Sequence, residues 1–143
     1  MPTNNLMIRM TSWEKDKLAL QSIRREVFIN EQQVPEALEW DEFDNSSLHF
    51  ICTLENKVIA TARLKPDGKI GRMAVLQDYR NLGYGNKLLI FVIQTACDKN
   101  INNLYLHAQV SAIPFYEKQG FSVCSDIFYE ANIPHREMSK IIC

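Results

Sequence analysis

The chain has 143 residues, 46% apolar and 23% charged, and its 16 Lys and Arg nearly cancel its 17 Asp and Glu. That size and apolar content predict one globular domain over 1–143, with a core that needs neither disulfides nor a structural metal, and they exclude a disordered chain. The near-zero net charge argues against a nucleic-acid binder, no run approaches the ~18 apolar residues of a membrane span, and Met1–Ser12 lacks a signal-peptide pattern, so a cytoplasmic protein is expected.

Ser12 is a good N-cap, and Leu18, Leu20, Ile23, Val27 and Phe28 recur at helical spacing, which predicts an amphipathic helix to about Asn30. Pro35 and the acidic stretch 36–44 predict an irregular loop. The β-rich runs 49–55 and 58–64 flank a polar pair and predict a hairpin, and Pro66-Asp67-Gly68 turns the chain into a further strand over 69–76. A second long helix is predicted over 83–99, a strand over 102–108, a short helix over 111–119 closed by Gly120, and two last strands over 121–129 and 136–142. Meandering strands followed by strand and helix alternation predict a mixed α/β sheet with one crossover helix. Cys52, Cys97, Cys124 and Cys143 form no metal-ligand spacing with each other or with His. No metal is expected, and the thiols are read as reduced and buried, Cys143 excepted.

The segment richest in chemistry runs from Arg72 to Lys87, a strand passing through a loop into a helix. Gly83 and Gly85 let backbone N–H groups converge where the helix dipole is positive, which suits a pyrophosphate, and Arg80 and Lys87 add positive charge. No Gly-Lys-Ser/Thr follows, and Leu88 stands where a dinucleotide fingerprint has its third glycine, so kinase-like and Rossmann readings fail.

Arg80-Asn81-Leu82-Gly83-Tyr84-Gly85 resembles the Arg/Gln-x-x-Gly-x-Gly/Ala loop of the GNAT superfamily of acyl-CoA-dependent N-acetyltransferases. Met73-Ala74-Val75 stands before it as in that family's coenzyme-binding strand, and 104–121, ending in Phe115-Tyr116-x-x-x-Gly120-Phe121, resembles the family's next strand and helix. The segments 24–35, 39–44, His107-Ala108-Gln109 and Ile133-Pro134-His135 are similar to the ElaA-like branch. The resemblance implies the GNAT fold, α/β with a mixed, mostly antiparallel central sheet flanked by helices and with strands 4 and 5 splayed to admit the acyl-CoA arm. It implies acetyl-CoA as cofactor and transfer of its acetyl group to a primary amine, a small molecule rather than a protein, by direct attack in a ternary complex. The alternative is a non-catalytic module that binds or senses acyl-CoA.

Carried onto this chain, the resemblance implies that Asn81, Leu82, Gly83, Tyr84, Gly85, Asn86 and Lys87 hold the pyrophosphate, with Arg80 at the loop entrance. Met73, Ala74 and Val75 would offer backbone groups to pantetheine and to the thioester oxygen, Gln109 and Ala112 would contact the coenzyme arm, and Tyr116 would be the general acid. Gln109 replaces the Asn of many members. Acceptor-side candidates are Glu31, Trp40, His107 and His135, and the general base stays open among Glu31, Glu39, Asp41, Asp44, His107, His135 and water. Most of the acidic loop is read as a solvated surface, with Trp40 lining the acceptor pocket. No nucleic-acid or membrane partner is expected, and the residues leave a homodimer open.

Overall fold

The computed structural model describes residues 5–143; residues 1–4, the start of the stretch read for a leader, lie outside the described residues. The strands are β1 (Leu6–Thr11), β2 (Leu48–Leu54), β3 (Lys57–Leu64), β4 (Lys69–Val75), β5 (Asn103–Gln109), β6 (Ser122–Val123), β7 (Phe128–Glu130) and β8 (Ile133–Ile141). The helices are α1 (Trp13–Arg24), α2 (Glu36–Glu39), α3 (Tyr84–Asp98) and α4 (Ile113–Glu117). One sheet has the order β1-β2-β3-β4-β5-β8-β6, with β7 added on β8. Among the described residues only β4 and β5 pair in parallel, joined by the crossover helix α3. Among these residues no helix is long and apolar enough to cross a membrane.

Alternation along the strands buries both faces of the sheet's centre. Leu88, Leu89, Val92 and Ala96 of α3 pack on one face with Phe50, Ala60, Leu64 and Leu106. On the other, Leu20 of α1 meets Ile51, and Ile23 with Val27 meets Ala74 and Leu76. The turn into β4 requires glycine, because Gly68 has φ +97° and a Cβ there would stand 2.2 Å from the Asn103 carbonyl oxygen.

Several sequence expectations shift. The first helix starts at its Ser12 cap, whose hydroxyl accepts from the Lys15 N–H, but after Arg24 it widens into a π-helical stretch, Arg25–Glu31. Leu18 faces solvent, because at about 100° per residue it stands opposite Leu20 and Val27 on the helix, and Asp16, bonded to Arg9 and Thr11, leaves helical dihedrals (φ −127°, ψ 31°). The strand expected over 121–129 is broken into β6 and β7, and β8 starts three residues early because Ala131 and Asn132, both at positive φ, form a tight two-residue turn. Cys97 and Cys143 are joined in a disulfide with a Cα–Cα distance of 6.0 Å. Ile142, whose N–H donates to Asn102 and whose side chain enters the core, brings the chain end to the last turn of α3. Of the free thiols Cys52 is buried, with its pKa pushed up to about 11 by burial, while Cys124 is exposed.

The acidic loop departs most from expectation. Glu36 and Glu42 are exposed, but Glu39 and Asp44 are buried, and Asp41 is partly so. Arg24, 1% exposed, donates Nε to Glu39 at 2.8 Å and Nη1 to Asp44 at 2.7 Å. Its guanidinium stands 5.2 Å from the ring centres of both Trp13 and Trp40. Arg63 of β3 bonds Asp41 at 2.7 Å and Asp44 at 3.1 Å, and Arg72 of β4 reaches Asp41 at 3.1 Å and Glu39 at 3.2 Å. Three arginines thus face three carboxylates. Burial pushes the Glu39 carboxyl up against the pull of Arg72 and Arg24. Burial also opposes Asp44, but the Arg24 hydrogen bond and charge outweigh it and hold that carboxyl below the usual range.

Asp44→Asn should therefore cost about 3–5 kcal/mol, because Arg24 and Arg63 are left short of a buried counter-charge. Urea unfolding at neutral pH checks this. A native pKa below the unfolded one stabilises in full above the ordinary aspartate value of about 3.9 and is lost as pH falls through the native value, so the gap between parent and variant should close in acid.

Candidate active site

β4 and β5 pair only at Lys69 with Tyr105 and Ile70 with Leu106, and then diverge. The β3–β4 register passes from Arg63 opposite Gly71 to Thr61 opposite Ala74, so Arg72 and Met73 together oppose one residue. This is a β-bulge, with Arg72 at φ +49°, and it bends β4 away from β5. Beyond the parting lies a cavity of about 580 Å³, lined by Gly71 and Met73 from β4, Gln109 from β5, Tyr116 from α4 and Ile133 from the β7–β8 hairpin. The π-helical stretch supplies Phe28 and, just after it, Gln32, whose side-chain oxygen accepts from Gln109 Nε2 at 2.9 Å across the opening.

The glycine loop sits at the end of β4. Arg80 Nε donates to the Val75 carbonyl at 2.8 Å, and its fork holds Glu31 at 2.6 and 2.7 Å. Asn81 at φ +62° and Gly83 at φ +88° turn the chain into α3, and no atom lies within 4 Å of where a Gly83 Cβ would be. The first turn of α3 carries no acidic residue, so its free N–H groups and dipole face an open, uncompensated space. A Cβ at Gly85 would meet Phe115 and Val75 at 3.5 Å, ordinary contact.

Tyr116 lies against Phe115 and Phe121, ring centres 5.0 and 6.2 Å away, and burial pushes its pKa up to about 12. It is therefore a neutral phenol, able to donate a proton, at physiological pH. His135 is 8% exposed, and its Nδ1 lies 2.7 Å from the Ile133 carbonyl. His107 stands between two carboxylates, Nδ1 2.8 Å from Glu130 and Nε2 3.2 Å from Glu137.

Of the residues named from sequence, Met73, Gln109, Ala112, Tyr116, His107 and His135 meet in this one cavity. Ala74 turns its side chain into the core, leaving only backbone for a ligand. Asn86 is occupied by Gln119 through a side-chain bond of 2.6 Å. Glu31 lies outside the cavity lining, tied to Arg80. Trp40 lies outside it too, its ring covering Arg24 and its Nε1 donating to Glu36 at 3.2 Å. Asp41 and Asp44 are likewise absent from the lining, and Glu39 borders it but is held by Arg24 and Arg72. Sequence reasoning missed Phe28, Gln32, Lys69, Arg72 and Glu130. Phe28 and Gln32 fall within the stretch 24–35 and Arg72 opens the stretch 72–87, both singled out in the sequence, whereas Lys69 and Glu130 carried no local signal.

A parted parallel strand pair with a bulge on one side and a glycine loop opening a helix defines the acyl-CoA N-acyltransferase class. The chain belongs to the GNAT acetyltransferase family: residues 12–142 match the family described as "Acetyltransferase (GNAT) domain". It is 36% identical over 122 residues to the uncharacterized N-acetyltransferase YjcF of Bacillus subtilis, covering 82% of this chain and 87% of that protein. An acyl-CoA N-acyltransferase from Pseudomonas aeruginosa superimposes with a TM-score of 0.86 at 26% identity, over 95% of this chain and 99% of that one. Escherichia coli ElaA does so with a TM-score of 0.85 at 24% identity, over 94% and 99%.

The position of Trp40 makes it a stability residue. Trp40→Ala should uncover Arg24 and lower Tm, while acceptor and coenzyme KM change by similar small factors. A rise confined to acceptor KM in steady-state assays would put the ring back at the pocket.

Proposed function

We propose that the protein transfers the acetyl group of acetyl-CoA to the primary amine of a small molecule, by direct attack in a ternary complex. The observation that carries this reading is the parting of β4 from β5 into a cavity with Tyr116 on its wall. The fit to the coenzyme rests on the open space over Gly83 and on the unpaired N–H groups of a first helical turn free of acidic residues. Residues 81–87 would bind the pyrophosphate there, with Lys87 adding charge and Arg80 bracing the loop entrance. Backbone groups of 73–75, freed from β5, would pair with the amides of the pantetheine arm, and Gln109 and Ala112 would flank it. Acetyl-CoA supplies the acetyl group as an activated thioester.

As the amine nitrogen bonds to the acyl carbon, backbone N–H groups near the bulge donate to the oxygen that gains charge. Tyr116 gives its phenolic proton to the departing sulfur as the C–S bond breaks; its raised pKa keeps that proton available across the physiological range. A cavity of about 580 Å³ falls within the size of small-molecule sites, which supports a small amine over a protein surface.

Calorimetric titration with acetyl-CoA should show saturable binding that Gly85→Glu abolishes, since the fold admits a Cβ there and the carboxylate adds negative charge to the first turn of α3, which would face the anion. Tyr116→Phe should keep coenzyme affinity and lower thiol release with amines by about 100-fold. Binding without turnover on any amine would favour a sensor, and no binding would overturn both readings.

A further inference from the structure

Acyl transfer to an amine, the reading on which the following step rests, requires a group to take the amine's proton. The acidic side chains near the cavity are engaged. Glu39 is held by Arg24 at 2.8 Å and by Arg72 at 3.2 Å, and Glu31 by Arg80 outside the lining. His107 has no free ring nitrogen, each one facing a carboxylate.

His135 differs from all of these. Its Nδ1–H donates to the Ile133 carbonyl at 2.7 Å, and this bond leaves the lone pair of the neutral ring on Nε2. Nε2 faces Glu130 Oε1 at 3.9 Å, a distance for charge stabilisation rather than a hydrogen bond. Glu130 turns its other oxygen, Oε2, to His107 Nδ1 at 2.8 Å. One hairpin holds base and carboxylate together, because the Ala131-Asn132 turn pairs Glu130 with Ile133, whose carbonyl orients the ring. The His135 side chain is 10% exposed and that of Glu130 is 47%, so the pair leads from the cavity to solvent.

We propose that His135 Nε2 is the general base for the acceptor amine, with Glu130 stabilising the imidazolium and His107 as the residue that positions Glu130. The amine N–H bond breaks as the N–C bond to the acyl group forms. The electron pair stays on nitrogen in the new amide, the proton forms an Nε2–H bond, and the imidazolium then releases it to water beside Glu130. The charged and titratable groups that share the cavity with His135 are Glu39, Lys69, Arg72, His107, Tyr116 and Glu130.

The test follows CoA thiol release by the full chain with acetyl-CoA and three probe amines, benzylamine, tyramine and glycinamide. His135→Gln should lower kcat/KM by about 100-fold or more, with acetyl-CoA Kd unchanged. Glu130→Gln should lower kcat with the amine KM nearly unchanged, because the imidazolium formed during transfer loses its carboxylate. His107→Gln should lower kcat in the same way, a split between kcat and KM that a purely structural role would not produce. Nitrogen NMR of the parent protein should find the His135 proton on Nδ1, a reading that does not depend on whether a variant folds. Parental kcat/KM in His135→Gln, parental kcat in Glu130→Gln, or the proton on Nε2 overturns the proposal. A parent that binds acetyl-CoA but releases no thiol with any probe fails as an acyltransferase first, and the base falls with it.

Discussion

The guanidinium of Arg24 is the contact on which one wall of the cavity depends. Removing a charge from water costs several kcal/mol unless it is paired and hydrogen-bonded, and Arg24 is both, bonded to Glu39 and Asp44 with the rings of Trp13 and Trp40 nearby. Those partners come from a loop with little regular structure, so the ion network does for the loop what ladder bonds do for a strand. Through Glu39 the network reaches Arg72, whose Nη2 bonds the carbonyl of Glu39 at 3.0 Å. Arg72 sits at the bulge in a left-handed conformation that a side chain disfavours, and its bonds to this loop offset that strain. Loop, bulge and cavity wall are thus held by one set of charges.

The opening between β4 and β5 needs its own support, because parted strands leave backbone groups without ladder partners. Each strand is secured on its outer side. β5 pairs with β8 along its whole length, from Asn103 with Ile141 to Gln109 with His135, and β4 pairs with β3 on both sides of the bulge. The unpaired inner edges therefore stay apart without collapsing, and they present donors and acceptors to anything that carries amide groups. The same β5–β8 register brings His135 opposite Gln109, so the strand that closes the sheet also brings a buried imidazole to the cavity.

Much of this was legible in the residues. Gly83 and Gly85 at the start of an apolar helix, Pro66-Asp67-Gly68 between β-rich runs, and Tyr116 before Gly120-Phe121 each carry a local physical signal, and α3 falls within one residue of its expected bounds. β1 was missed because exposed positions of Leu6–Thr11 carry the apolar Met7 and Met10, so its in-and-out alternation does not show as an apolar and polar one. The acidic loop misled for a different reason. Five carboxylates in a short stretch look solvated until three arginines, none adjacent in sequence, meet them, and local composition does not carry that pairing. The widening of the first helix after Arg24 is invisible for the same reason, since its residues suit an ordinary α-helix and only the fold sets where the turn opens.

That widened turn also accounts for how the glycine loop and the cavity wall keep their spacing. Glu31 ends the π-helical stretch and takes both arms of Arg80, while Arg80 Nε holds the last carbonyl of β4. The next residue, Gln32, bonds Gln109 on the far side of the opening. Two successive side chains therefore span the gap in different directions, one to the loop and one to β5. A regular α-helix advances each residue by 100° about its axis, too uniform a step to suit every such pair of targets, and a π-turn changes that step locally. Glu31, expected from sequence on the acceptor side, ties the end of the π-helical stretch to the glycine loop through Arg80.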